Sequence, residues 1–122
     1  MKHIANCTNT EFLKQVQAVR GPFKAWLEKT GIPAIRARRP EGYDAMTEDE
    51  QREALLEQAR VNTPEIIDAA LSRDFDGTVD LLCLVTFTDP ADFDAHTIAE
   101  YIQAVNEILR DPGVRDFFTL YL

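Results

Sequence analysis

The chain has 122 residues, 45% of them hydrophobic, and a formal net charge of −8. That length supports one modest core, and the acidity argues against general affinity for nucleic acid. No apolar stretch approaches the roughly 20 residues that span a bilayer, and the opening MKHIANCTN turns polar too soon for a secretory leader. Cys7 and Cys83 lack CxxC spacing and read as reduced thiols of a cytoplasmic protein.

Helix-start signals recur along the chain. Thr8 with Glu11 forms a capping box, after which Phe12, Val16, Val19, Phe23 and Trp26 fall on one helical stripe. Gly21-Pro22 interrupts that stripe, and a proline there predicts a kink or a break into two helices, the unbroken phase favouring the kink. Residues 31–46, with Pro33, Pro40 and Gly42 among arginines, read as a loop or extended arm. Thr47 and Glu50 open a helix through Arg60, with Leu55, Leu56 and Ala59 inward. Thr63-Pro64-Glu65 reads as an N-cap with proline at the first helical position, starting a separate helix that carries Ile66, Ile67, Ala70 and Leu71.

Asp76-Gly77-Thr78 reads as a turn. The segment 79–88 has the Val, Thr and Phe of a strand, but no second strand exists to pair with it, so a buried helix is expected. Asp89-Pro90 begins a brief helical turn. Thr97 and Glu100 cap the clearest amphipathic helix, with Ile98, Tyr101, Ile102, Val105, Ile108 and Leu109 on its apolar side. Asp111-Pro112 caps a last helix bearing Val114, Phe117, Phe118 and Tyr121. The expectation is an all-α fold, one small domain of about six short helices, with a basic N-terminal helix and arm (1–46) and an acidic helical body (47–122).

Charge is unevenly spread. Residues 1–40 hold eight Lys/Arg against two acids, and residues 41–122 hold five against nineteen. Such a step predicts either that the two parts face each other or that one faces a partner. Arg36, Arg38 and Arg39 form the basic cluster; they fold back onto the acidic Glu48–Glu57 face, lie solvated, or meet an acidic partner. No aromatic interleaving accompanies them, as a nucleic-acid site would want. Phe117, Phe118, Leu120, Tyr121 and Leu122 end the chain in dense apolar surface, buried in the core or presented to a partner. Arg36, Arg38, Arg39, Phe117, Phe118 and Tyr121 are the candidate partner-binding residues.

No residue set declares a reaction. Asp74-Phe75-Asp76-Gly77-Thr78-Val79 resembles the DxDGT[LV] motif of haloacid-dehalogenase-type phosphatases, but that motif must end a hydrophobic strand, and a helical pattern precedes it here. An acidic turn and helix cap is the expected reading. Asp92, Asp94, His96 and Glu100 suggest metal, yet an EF-hand frame from Asp89 puts Asp94 where glycine is required. Cys83 reads as a small core residue without an activating cation. The expectation is a non-enzyme with no cofactor and no metal.

IANCTNTEFLKQ at the start, Trp26-Leu27, residues 48–52 running into 55–60, IIDAAL (66–71) and LLCLVTFTDPAD (81–92) together resemble small prophage proteins of the tail assembly chaperone group. Two features depart from that pattern: the Gly21-Pro22 break and the short stretch after Phe117-Phe118. The resemblance implies a non-enzymatic protein of the bacterial host cytoplasm that binds the tape-measure or tail-tube protein during tail morphogenesis, self-association being a further option, with no nucleic-acid or membrane partner. The second reading is an acidic regulatory or inhibitory binding module, such as one that mimics nucleic acid.

Overall fold

The structure, a computed structural model, describes residues 1–121. It is all-α, and no strand occurs among the described residues: α1 (Asn9–Thr30), α2 (Ile32–Arg36), α3 (Glu48–Arg73), α4 (Phe75–Val85), α5 (Ile98–Arg110) and α6 (Pro112–Tyr121), with 3-10 turns at Tyr43–Ala45 and Pro90–Ala95. Two of these are not short: α1 has 22 residues and α3 has 26. Contacts gather the chain into two compact units, residues 1–25 with 76–122, and residues 26–75. Each unit carries a net charge of −4. The charge step at residue 40 and the expected division at residue 46 therefore both fall inside the second unit.

Three capping boxes sit where the sequence places them. Thr8 and Glu11 exchange side-chain-to-backbone bonds of 3.2 Å in both directions, and Thr47–Glu50 and Thr97–Glu100 do the same at the starts of α3 and α5. Asp111 accepts the Val114 N–H at 3.0 Å to start α6, and Asp89 accepts the Ala91 N–H at 2.9 Å ahead of the 3-10 turn. Each satisfies a donor that a helix start leaves open.

Of the two internal prolines, Pro22 leaves α1 unbroken, as the favoured reading has it, and Pro64 corrects the expectation of a separate helix. Pro22 lies within α1 and Pro64 within α3, so neither begins a new helix. A proline leaves the carbonyl four residues back without its N–H donor, here Ala18 and Arg60, and both residues are exposed to solvent. Thr63, expected to cap forwards, instead donates its hydroxyl back to the Ala59 carbonyl at 2.8 Å. Tertiary contacts hold α3 helical on either side of Pro64. Asn62 donates to the Ile35 carbonyl at 3.0 Å, and Arg73 donates to the Thr30 carbonyl at 2.7 Å.

In the unit 26–75, Ile32, Ile35 and Ala69 form the core, with Trp26, Ile66 and Ala70 packed against it. The expected arm at 31–46 thus contains a helix and a 3-10 turn, and two of its isoleucines are core residues. Gly31 makes the sharp exit from α1. It is left-handed (φ 67°), its N–H bonds the Leu27 carbonyl at 3.0 Å, and an added Cβ would stand 3.1 Å from Nη1 of Arg73. Gly31→Ala is expected to cost about 1–2 kcal/mol through left-handed strain and displacement of that guanidinium. A urea melt should show a lower midpoint at unchanged slope; an unchanged midpoint would mean that the turn relaxes freely.

In the other unit, Ile4, Ile108 and Val114 form a core that Ala5, Phe12, Val85, Phe87 and Phe118 complete. The N-terminal segment joins it through Ile4, whose N–H bonds the Val85 carbonyl at 3.0 Å. His3 is buried and its Nδ1 accepts the Ala5 N–H at 3.1 Å, so Nε2 carries the hydrogen that faces Glu107. The segment 79–88 is helical to Val85, as expected, but only Cys83 and Thr86 are fully buried. Residues 76–78, expected as a turn, form the first turn of α4. The helix ends in a Schellman arrangement, the Thr88 N–H reaching the Cys83 carbonyl at 2.9 Å, with Phe87 in the left-handed position at φ 52°.

Candidate protein-binding site

Arg36, Arg38 and Arg39 all line one groove of about 310 Å³ in the unit 26–75, together with Leu55, Asn62 and Ile66. The three arginines are exposed, Leu55 and Ile66 half-buried, and Asn62 buried, which makes the arginines the rim and the apolar pair and Asn62 the floor. α3 supplies the floor because Leu55, Asn62, Ile66 and Ala69 recur at helical spacing on one side of it. The end of α2 and the residues after it supply the rim.

The arginines do not fold onto Glu48–Glu57. Arg38 forms a two-pronged pair with Glu65, beyond that stretch, its Nη2 donating to Oε1 at 3.0 Å and its Nη1 to Oε2. The hydrogen bond from Arg38 holds the Glu65 carboxyl below the usual range, and the charges of Arg38 and Arg73 add to it. Arg39 donates to backbone carbonyls of Ala37 and Arg38 at 3.4 and 3.5 Å and lies over the Tyr43 ring. Arg36 has no ion-pair partner among the described residues. The floor is already satisfied: Asn62 Nδ2 serves Ile35, and its Oδ1 accepts from Gln58 at 2.9 Å. What the groove offers a ligand is therefore cationic charge over apolar surface.

The C-terminal aromatics belong to the other unit. Phe117 meets Phe12 edge-on at 5.1 Å, Phe118 at 6.1 Å, and stacks with Tyr121 at 5.5 Å, with the Arg20 guanidinium over Tyr121 at 4.7 Å. Phe117, Phe118 and Tyr121 are half-buried by these contacts, and Leu120 is 89% exposed. Leu122, counted with this apolar run, lies outside the described residues.

More apolar surface is exposed where inward faces were expected. On α5, Ile98, Ile102 and Leu109 are each more than half exposed. They share a face with half-buried Val105 at spacings of 4, 3 and 4, beside the face that buries Tyr101, Ala104 and Ile108. On α3, Leu56 and Ala59, expected inward, are exposed, and so are Ile67 and Leu71, expected on a separate helix. The signal was present in the sequence: the apolar arc of α5 is wider than one neighbouring helix covers.

The DxDGT string falls at a helix junction. Asp74 stands between α3 and α4, and Asp76 in the first turn of α4, so neither follows a strand. Among the described residues no group of three or more His, Cys, Asp and Glu is placed to hold a metal ion, and no helix is long and apolar enough to cross a membrane. Burial pushes the Cys83 thiol up, and Asp80 and Asp89 push it further; this disfavours the thiolate a nucleophile needs. Compared with family models, curated proteins and solved structures, the chain matches none.

Three carboxyls sit below their usual range: Glu65 through Arg38, Glu100 chiefly through His96, and Glu107 chiefly through His3 with Gln103 adding a bond. A carboxyl lowered on folding adds stability above its unfolded pKa, near 4.3 for Glu, and that stability disappears as pH falls through the folded value. Thermal midpoints should therefore drop on acidification below about pH 5. Glu107→Gln should show a shallower drop than the wild type; an identical drop would mean that the His3 contact carries no linkage.

Proposed function

We propose that this chain is a non-catalytic protein-binding protein that holds a helical, apolar client, in the manner of the phage tail assembly chaperones its sequence resembles. The client would be the tape-measure protein, or the tail-tube subunit recruited to it, in the bacterial host cytoplasm. The observation that carries the reading is the outward face of α5, where Ile98, Ile102 and Leu109 stand exposed at spacings suited to a second helix. Contiguous exposed aliphatics on a small domain mark interaction surfaces, and a net charge of −8 keeps such a surface soluble.

The test is co-expression with the product of the following reading frame, if that frame is several times longer and helix-rich as a tape-measure gene would be, followed by co-purification. The wild type should retain that product, and an Ile98→Glu, Ile102→Glu double variant should fold, by circular dichroism, and lose it. Retention by the double variant would remove α5 from the interface. Sedimentation of the chain alone separates client binding from self-association through the same face, since only the latter depends on the chain's own concentration.

A further inference from the structure

The arginine groove lies in the other unit and calls for different chemistry. We propose that it is a docking site for a linear acidic peptide of a partner protein, one that sets a carboxylate against Arg36 and Arg39 and an aliphatic side chain against Leu55 and Ile66. This goes beyond the client-binding reading and rests on other residues.

Charge complementarity selects the occupant. Three guanidiniums line one small groove, and among the described residues only Arg38 of these has a carboxylate partner, Glu65. Neither Arg36 nor Arg39 has an ion-pair partner among the described residues; Arg39 makes only long bonds to backbone carbonyls and a contact over the Tyr43 ring, which leave its charge without a carboxylate. Guanidinium forks match carboxylates in two-pronged geometry. An acidic ligand must also overcome the unit's own net charge of −4, which repels an extended polyanion but spares a short segment held at the rim. No aromatic side chain lines the groove, so the stacking that single-stranded nucleic acid uses is missing. An inorganic anion leaves Leu55 and Ile66 uncovered and finds the Asn62 amide already bonded, whereas a leucine or isoleucine beside an acid covers the apolar pair. At about 310 Å³ the groove suits a few side chains and not a whole helix.

The experiment uses the full chain and the fluorescein-labelled peptide Gly-Asp-Glu-Ile-Leu-Glu-Asp-Gly, read by fluorescence anisotropy at low salt. Saturable binding is expected, weakened about tenfold or more by Arg36→Gln with Arg39→Gln, and weakened also by Leu55→Ser or by replacing the peptide's Ile-Leu with Ser-Gly. Both protein variants are checked for native helix content first, and the glutamine pair touches no contact that the core uses. Absence of binding, or binding indifferent to the glutamine pair, would overturn the proposal. Equal displacement of the peptide by inorganic phosphate and by unlabelled peptide would reduce the groove to an anion site and overturn its aliphatic half. Tighter binding of an oligothymidylate than of the peptide would assign the groove to nucleic acid instead. None of these outcomes depends on α5, so the Ile98 and Ile102 variant should bind the peptide like the wild type.

Discussion

Tyr101→Ala is expected to lower stability by about 3–5 kcal/mol, the range for emptying a buried aromatic position. Tyr101 is 1% exposed, the largest fully buried side chain among the described residues. Its ring stacks on Phe93 at 4.8 Å and meets His96 edge-on at 6.0 Å, and its hydroxyl donates to the Phe93 carbonyl at 2.9 Å. One residue thus ties α5 to the 3-10 turn Pro90–Ala95, which has no buried residue of its own. Tyr101→Phe keeps the ring and removes only the hydroxyl bond, about 1 kcal/mol. Urea melts of the two variants separate these contributions. Equal losses would mean that the ring leaves no cavity and the hydroxyl bond alone anchors the turn.

Asn62→Ala should cost about 2–3 kcal/mol, because it strands a buried acceptor and not merely because it breaks a bond. Asn62 is 4% exposed and its amide supplies the Ile35 carbonyl, itself in a residue 3% exposed. This link joins α2 to the middle of α3, close to Pro64. Gln58, which donates to Asn62 Oδ1, is half-buried and can turn to water, so Gln58→Ala should cost well under half as much. The melt of the Asn62→Ala, Gln58→Ala double variant should match that of Asn62→Ala alone. Additive losses would show that the two amides act independently.

The helix starts were legible in the sequence because capping is local. Thr8, Thr47, Thr97, Asp89 and Asp111 each bond a backbone N–H within three residues, and short-range pattern suffices to find them. The expected break at Thr63-Pro64 is absent because local preference is overruled from a distance. Pro64 is a helix-start signal taken alone, yet Asn62 and Arg73 fasten α3 on either side of it to carbonyls 27 and 43 residues away. Ile32 and Ile35 were hidden among prolines and arginines in a stretch with no visible period, although they are core residues. The arginines were found by composition, but the groove they share was not, since its floor comes from α3, and nothing in a linear string reports that Leu55 and Ile66 lie beneath Arg36 and Arg39. The outward faces of α3 and α5 escape the sequence reading for the opposite reason: an apolar residue in phase on these helices reads as inward, and the pattern does not report how much of the arc a neighbour covers.

Phe87 couples the end of α4 to the core of its unit. Left-handed backbone costs a residue with a Cβ roughly 1–2 kcal/mol, and glycine is the usual solution at a helix end. Here the ring that makes the conformation costly also lies against Ile4, Ile108 and Val114, under the Lys2 ammonium at 4.8 Å. The strain at this corner is therefore offset by packing from distant parts of the chain and not by local structure. The conformation at residue 87 rests on the N-terminal segment, α5 and α6 meeting around the ring, so the end of α4 is held by residues about 80 positions before it and 20 to 30 after it.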